Sequence, residues 1–258
     1  MRIITIFAPS NAFKPKMKQL AITLFLTFLL TNVYAQKLTT IKIKTPAPVK
    51  TKEIFQVLKE NKSIKNGSYK KYRSKKLIES GYYKNNQRDS LWEIYSQKGQ
   101  IIASGKYKAD TLVGIWTYYS FSGSILQRFD HDHDSLIYFN IQEESKIGSA
   151  PKTFPDTAQD QFPIFIGGTA YMFTLIQNNI IYPFEAWKKL KTGKVLISFI
   201  VDSYGNTTEV VCKNPVGNGF DEEGIRLVKS FGKAWIPGVQ KGRKVKVQYT
   251  LPLTFKMK

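Results

Sequence analysis

The stretch KVKVQYTLPLTF, residues 244–255, places Val245, Val247, Tyr249, Leu251, Leu253 and Phe255 at every second position. That is the period of a strand with one face turned to a core. Lys244, Lys246, Gln248, Thr250 and Thr254 fall on the opposite face. Pro252 sits inside the run, and proline has no N–H to give to a ladder, which places the strand at the border of its sheet. Such a border can accept a foreign strand through free backbone groups. Lysine and proline are also what proteins place on edges to prevent that pairing. From these residues alone both readings stand.

Working back from this strand, TAYMFTLIQNNI (169–180) follows the pair Gly167–Gly168 and carries Met172, Leu175, Ile176 and Asn179 at helical spacing. YPFEAWKKL (182–190) predicts a short second helix, with proline in its first turn. GKVLISFIVD (193–202) alternates Val195, Ile197, Phe199 and Val201; SYGN (203–206) is a turn, and NTTEVVCKNPV returns to complete a hairpin. GFDEEGIRLVKSFG (219–232) predicts a helix with Asp221 as N-cap, Glu222 and Glu223 against the positive end of the macrodipole and Gly232 as its stop. Ile225, Val228 and Phe231 lie along its inner face. Residues 164–258 therefore read as an α+β domain: helix, β-hairpin, helix, edge strand.

These residues resemble a known family. Phe165–Gly168 as F-x-G-G, Tyr182-Pro183, Gly193–Asp202 as G-x-V-x-x-x-F-x-V-D, Gly205, the helix opened by Asp221, Trp235–Gly238 as W-x-P-G and the L-P-L-T-F ending are similar to the TonB C-terminal domain. Trp187-Lys188-Lys189 departs from it, being more basic than is common there, and predicts a local surface difference. The resemblance implies a non-enzymatic protein-interaction module that binds an extended segment of an outer-membrane transporter or other envelope partner by β-strand addition, in energy-coupled transport. The peptide-binding edge would comprise Lys244, Lys246, Val247, Gln248, Tyr249 and Thr250. The segment before Tyr-Pro (Asn178, Asn179, Ile180 and Ile181) is implied to touch the same peptide.

Self-similarity marks the first half of the chain. SYKKYRSKKLIESGYYKNN (68–86), LWEIYSQKGQIIASGKYKAD (91–110) and IWTYYSFSGSILQRFDHDHD (115–134) align at a period of 24, which relates Trp92 to Trp116, Gly81 to Gly105 and Ile101 to Ile125. Aromatics three apart, a turn and a second apolar pair make each unit a β-hairpin. One hairpin is not stable alone, so about three must stack into a β-meander over 64–140. The stretch resembles the MORN-like repeats of antitoxin-type β-hairpin proteins. The third unit has Phe129 where the others have the glycine of Ser-Gly (Gly81 and Gly105), which predicts a capping repeat. The aromatics are read as packing, with a ligand-binding face as the alternative. Residues 36–63 read as a basic tether with a short helix at 51–61, and residues 141–163 as an interdomain linker. The fold class is thus a β-rich two-domain protein.

Lys14, Lys16 and Lys18 precede LAITLFLTFLL (20–30), and small residues stand at Val33 and Ala35. This pattern predicts a signal peptide over 1–35, with Met17 as an alternative start, and places the protein in the periplasm. An uncleaved segment would instead anchor it in the inner membrane. No Cys follows the apolar run, which argues against lipid modification. The net charge is +20, and 35 basic against 19 acidic residues remain after residue 35, +16. Outside the cytoplasm that excess points to cell-wall polymer, acidic lipid or an acidic protein rather than nucleic acid. A force-transmitting member of the TonB family needs a membrane helix and a long proline-rich reach, so a periplasmic adaptor fits this chain better. The rival reading is an envelope structural protein whose repeats bind cell-wall glycan or lipid while the last domain forms a homodimer.

No catalytic constellation and no cofactor motif is found. His131 and His133 in DHDHD (130–134) would share a face if extended, an incomplete metal site at most; a solvated strand end is the other reading. Cys212 is the single cysteine, excluding an internal disulfide, and no histidine lies in its domain to activate it. Gly167–Gly168 lacks the Lys-Ser/Thr of a phosphate loop.

Overall fold

A computed structural model of the 258-residue chain describes residues 36–147 and 161–256. The signal-peptide reading of 1–35 and the middle of the expected linker, 148–160, lie outside the described residues.

β1 (Leu38–Thr45), β2 (Thr51–Leu58), β3 (Lys65–Arg73), β4 (Lys76–Lys84), β5 (Gln87–Tyr95), β6 (Ile101–Lys108), β7 (Thr111–Tyr119), β8 (Ile125–Asp130) and β9 (Ser135–Phe139) follow one another as a nine-stranded antiparallel meander. Ser74–Lys75, Asn85–Asn86 and Ala109–Asp110 all have positive φ, as two-residue hairpin turns require. Positions 24 apart play the same part. Trp92 lies across Gly81 and Trp116 across Gly105, so closely that a Cβ would stand 2.2 and 2.1 Å from the respective rings. Each indole N–H donates to a carbonyl ten residues earlier, Tyr82 O at 3.0 Å and Lys106 O at 3.1 Å. Tyr83 and Tyr107 meet these indoles edge-on at 5.3 Å, and His131 takes the next such place, 6.1 Å from Trp116. Each such pair contributes roughly 0.5–1.5 kcal/mol beyond its burial. The aromatics are packing residues: Trp92 and Trp116 are buried.

Residues 36–63 are not a tether. They form β1 and β2, and the stretch read as a helix at 51–61 is strand from Thr51 to Leu58. Phe55 and Val57, two apart, bury one face, and Phe55 stands opposite Tyr69. The linker reading fails at its start, where α1 (Ile141–Ile147) forms instead.

The smaller α+β region contains β10 (Ile164–Phe165), α2 (Gly168–Asn179), α3 (Phe184–Lys188), β11 (Gly193–Val201), β12 (Thr207–Cys212), α4 (Phe220–Lys229), β13 (Trp235–Ile236), β14 (Gly238–Gln240), β15 (Arg243–Val245) and β16 (Val247–Phe255). The sheet runs β12-β11-β16, with short pairings β10–β13 and β14–β15 beside it. Val195, Ile197, Phe199 and Val201 of β11 and Leu251, Leu253 and Phe255 of β16 form its inner face, covered by Met172 and Ile176 of α2 and Leu227 and Val228 of α4. Asp221 is not the N-cap of α4. The helix starts at Phe220 behind a left-handed Gly219, and the Asp221 carboxylate accepts from Val216 N at 2.9 Å and Gly217 N at 2.8 Å, closing the preceding loop.

The two parts that the sequence reading separated are packed together, and Leu38–Lys258 forms one compact unit. Tyr171 of α2 lies 5.0 Å from the Tyr118 ring of the meander and 6.3 Å from Phe165. Gly167 and Gly168 allow this approach. Both have positive φ, and a Cβ would meet Tyr118 from the first and Leu126 from the second. Glu144 of α1 caps the start of α2, accepting from Thr169 N at 3.0 Å. Buried Gln127 accepts from Gly167 N and donates to Phe165 O at 3.4 Å.

Candidate functional site

β16 pairs with β11 along its whole length, from Gly193–Phe255 to Val201–Val247, and no strand lies on its other flank among the described residues. The direction of its backbone groups follows from Leu196, opposite Pro252. Leu196 N donates to Asn214 Oδ1 at 2.6 Å and Leu196 O accepts from Lys213 N at 2.8 Å, both on the β12 side. The Leu196–Pro252 pair is therefore a non-hydrogen-bonded one, and in an antiparallel ladder the alternation carries along the strand. The odd residues Val247, Tyr249, Leu251, Leu253 and Phe255 bond to β11. Gln248, Thr250 and Thr254 turn N–H and C=O to the open flank, where Pro252 offers a carbonyl alone.

Of the residues assigned to the edge from sequence, Gln248 and Thr250 lie on it, and Lys246 immediately precedes the strand. Lys244 does not: it belongs to β15 and pairs with Val239. Val247 and Tyr249 are on the strand but spend their backbone groups on β11. The Tyr249 side chain also turns inward, stacked on Phe199 at 5.7 Å, close to Trp235 at 5.1 Å and donating to Pro163 O at 3.0 Å. Gln248 is held across the ladder by a 2.8 Å bond to Ser198 Oγ.

Asn178, Asn179, Ile180 and Ile181 do not join this edge. The Arg73 guanidinium of β3 donates to Asn178 O at 3.0 Å and to Ile180 O. Gln97 and Tyr95 O engage the Asn178 amide at 2.9 and 3.0 Å. Arg226 donates to Asn179 O at 2.9 Å, and Ile181 N donates to Glu223 Oε1 at 2.7 Å. Burial disfavours the charged Arg73 guanidinium, which the Glu223 carboxylate partly offsets. Glu223 is thus a buried carboxylate bonded to Arg226 at 2.7 Å, not merely a charge near a helix end. The segment is occupied by its own chain because the hairpin turns of the meander end against it. Arg73, Gln97, Gln127 and Glu144 were missed in sequence, being ordinary polar residues near turns whose partners lie 25 to 107 positions away.

The second edge, β12, is less open. Glu209 carries a positive φ at a register shift, and Thr207 N donates to Gly232 O at 2.8 Å. His131 and His133 do not share a face. The chain turns after β8, so His131 folds inward to the Tyr118 hydroxyl at 3.1 Å, while exposed His133 pairs with Asp130 at 2.8 Å. Among the described residues no group of three His, Cys, Asp or Glu side chains is placed to hold a metal ion. Cys212 is half-buried beside Asp221, at 3.6 Å, and burial pushes its thiol up. A cleft of ≈ 290 Å³ between α2 and α4, with Arg226 its one charged side chain, is at the small end for a ligand site. No helix among the described residues is long and apolar enough to cross a membrane.

A three-stranded antiparallel sheet with helices on one face and a long edge strand makes this region an α+β fold. The profile of the family described as "Gram-negative bacterial TonB protein C-terminal" matches residues 178–257. No curated protein matches the chain. Among solved structures, TarM and a variant of S. aureus TarM in complex with fondaparinux, alpha-GlcNAc-glycerol and UDP are similar at 13% identity, each with a TM-score of 0.26 over 54% of this chain and 27% of theirs. The chain spans about a quarter of the length of those structures, and so low a score establishes no common fold.

Proposed function

We propose that the open flank of β16 takes up an extended segment of an outer-membrane transporter or other envelope partner by strand addition, and that the protein works in the periplasm as a non-enzymatic TonB-type adaptor. Export by residues 1–35 belongs to this proposal. The observation that carries it is the row of outward backbone groups at Gln248, Thr250 and Thr254, within the region that matches the TonB family. An added strand satisfies such groups through main-chain hydrogen bonds. Pro252 removes one donor from the same flank and so sets where a guest ladder must skip a bond. The meander, with its MORN-like hairpins, serves as the scaffold that holds α2 and hence the sheet. A glycan-binding role for the aromatic rings finds little support, because the indoles are buried.

A photo-reactive residue at Thr250, introduced in intact cells, tests the proposal. Adducts with an envelope protein at position 250, and few at Glu209 on the other edge, are the expected outcome. Equal yields at both edges, or adducts only with a second copy of this chain, would overturn it.

A further inference from the structure

Around α3 the chain exposes apolar side chains at every third residue: Ile181, Phe184, Trp187 and Leu190 are 48, 54, 36 and 74% accessible. Leu190 is the most informative. The end of α3 is closed by Leu190 N donating to Trp187 O at 3.2 Å and Lys191 N donating to Ala186 O at 2.9 Å. That pair of bonds defines a helix stop whose left-handed residue is usually glycine. Here it is Leu190, with φ of 51°. A branched apolar side chain at such a position is strained, and this one gains no burial in return. The Tyr182 hydroxyl, donating to Lys191 O, pins the same turn, so the leucine is held outward by a fixed loop.

The charge around this patch has one sign. Between Ile181 and Lys194 the chain carries Lys188, Lys189, Lys191 and Lys194 against Glu185 alone. Among the described residues none of the four lysines takes part in an ion pair. Lys188 Nζ lies 5.3 Å over the Phe184 ring, its stem along the aromatic surface. Aromatic and leucine side chains ringed by lysines suit a bilayer interface, where the apolar tips enter the acyl boundary and the ammonium groups stay wet among phosphates. A protein partner covering the same surface would have to desolvate those ammonium groups instead. We propose that Phe184, Trp187 and Leu190, with Lys188, Lys189 and Lys191, form a membrane-surface contact for anionic phospholipid.

Tryptophan fluorescence of the full chain, titrated with vesicles, tests this directly. Trp92, Trp116 and Trp235 are buried and residues 1–35 contain no tryptophan, so a blue shift reports Trp187. A shift is expected with phosphatidylcholine vesicles holding roughly 30 mol % phosphatidylglycerol, and little with phosphatidylcholine alone. Leu190→Gly and Leu190→Asn, both suited to the left-handed position, should weaken binding about tenfold without lowering Tm, since a single leucine leaves the interface. Lys188→Glu combined with Lys189→Glu should abolish the preference for anionic lipid. No shift with anionic vesicles, equal binding to neutral ones, or a concentration-dependent dimer that Leu190→Gly dissociates would overturn the proposal.

Discussion

Leu196 and Pro252 face each other across the β11–β16 ladder without a bond between them, because Leu196 gives both its backbone groups to the β12 side. The donor that proline lacks is therefore missing from the open flank and not from the sheet's own ladder. A proline can sit in the middle of an apolar strand here at no cost in internal hydrogen bonds.

The same alternation separates two substitutions three residues apart. Thr250→Pro removes an outward donor and, with the photo-reactive residue moved to Thr254, should cut the crosslinking yield at the flank more than tenfold with little change in Tm. Val247→Pro removes a donor aimed at Val201 and should destabilise the fold by about 3 kcal/mol. Denaturant unfolding of both variants beside the crosslinking assay checks the distinction; equal destabilisation by the two would refute the assigned alternation.

Gly105→Ala puts a methyl into the Trp116 indole, 2.1 Å from its nearest atom, and Gly81→Ala does the same at Trp92. Each should lower stability by roughly 2–3 kcal/mol, the scale of overpacking in a tight core. Combining Gly105→Ala with Trp116→Leu should recover part of the loss in a double-mutant cycle.

Arg73→Met leaves Asn178 O and Ile180 O without their donor. Stability should fall by about 2–3 kcal/mol. Hydrogen exchange should quicken at residues 178–182 before it does in the strands of the meander.

His131 occupies the place that Tyr107 and Tyr83 hold one and two repeats earlier, against Trp116 and Phe129. Burial pushes its imidazole below the ordinary 6.5, with Asp134, Asp130 and Asp132 partly opposing. A histidine depressed in the folded state binds protons more readily when unfolded. Its contribution is thus present above about pH 6.5 and is lost as pH falls toward the folded value. His131→Tyr should flatten that part of the stability–pH curve, measured by urea unfolding between pH 7.5 and 5, roughly the range bracketing the imidazole.

The terminal strand, the β11–β12 hairpin and the stacked hairpins were legible because period-2 alternation and a 24-residue recurrence are local signals. The readings at 36–63 failed because Lys and Thr make up most of β1, while in β2 the apolar residues Ile54, Phe55, Val57 and Leu58 fall at a spacing that suits a helix face, although only Phe55 and Val57 are deeply buried. Asp221 misled because an acid near a helix start can close the loop before it as readily as the helix itself. Gly167–Gly168 was noticed and its purpose was not, since what it admits, Tyr118 and Leu126, belongs to strands 49 and 42 residues upstream (167 − 118 and 168 − 126). The assignment of Asn178–Ile181 to the edge rested on resemblance, and the arginine that occupies those carbonyls stands outside the matched region.

α2 has a core on each side, Met172 and Ile176 against the small sheet and Tyr171 against the meander. The hairpin array consequently acts as a mount that fixes the azimuth of the β16 flank. Deleting one 24-residue hairpin would take away part of that mount and loosen the hold on α2, and through it on the small sheet.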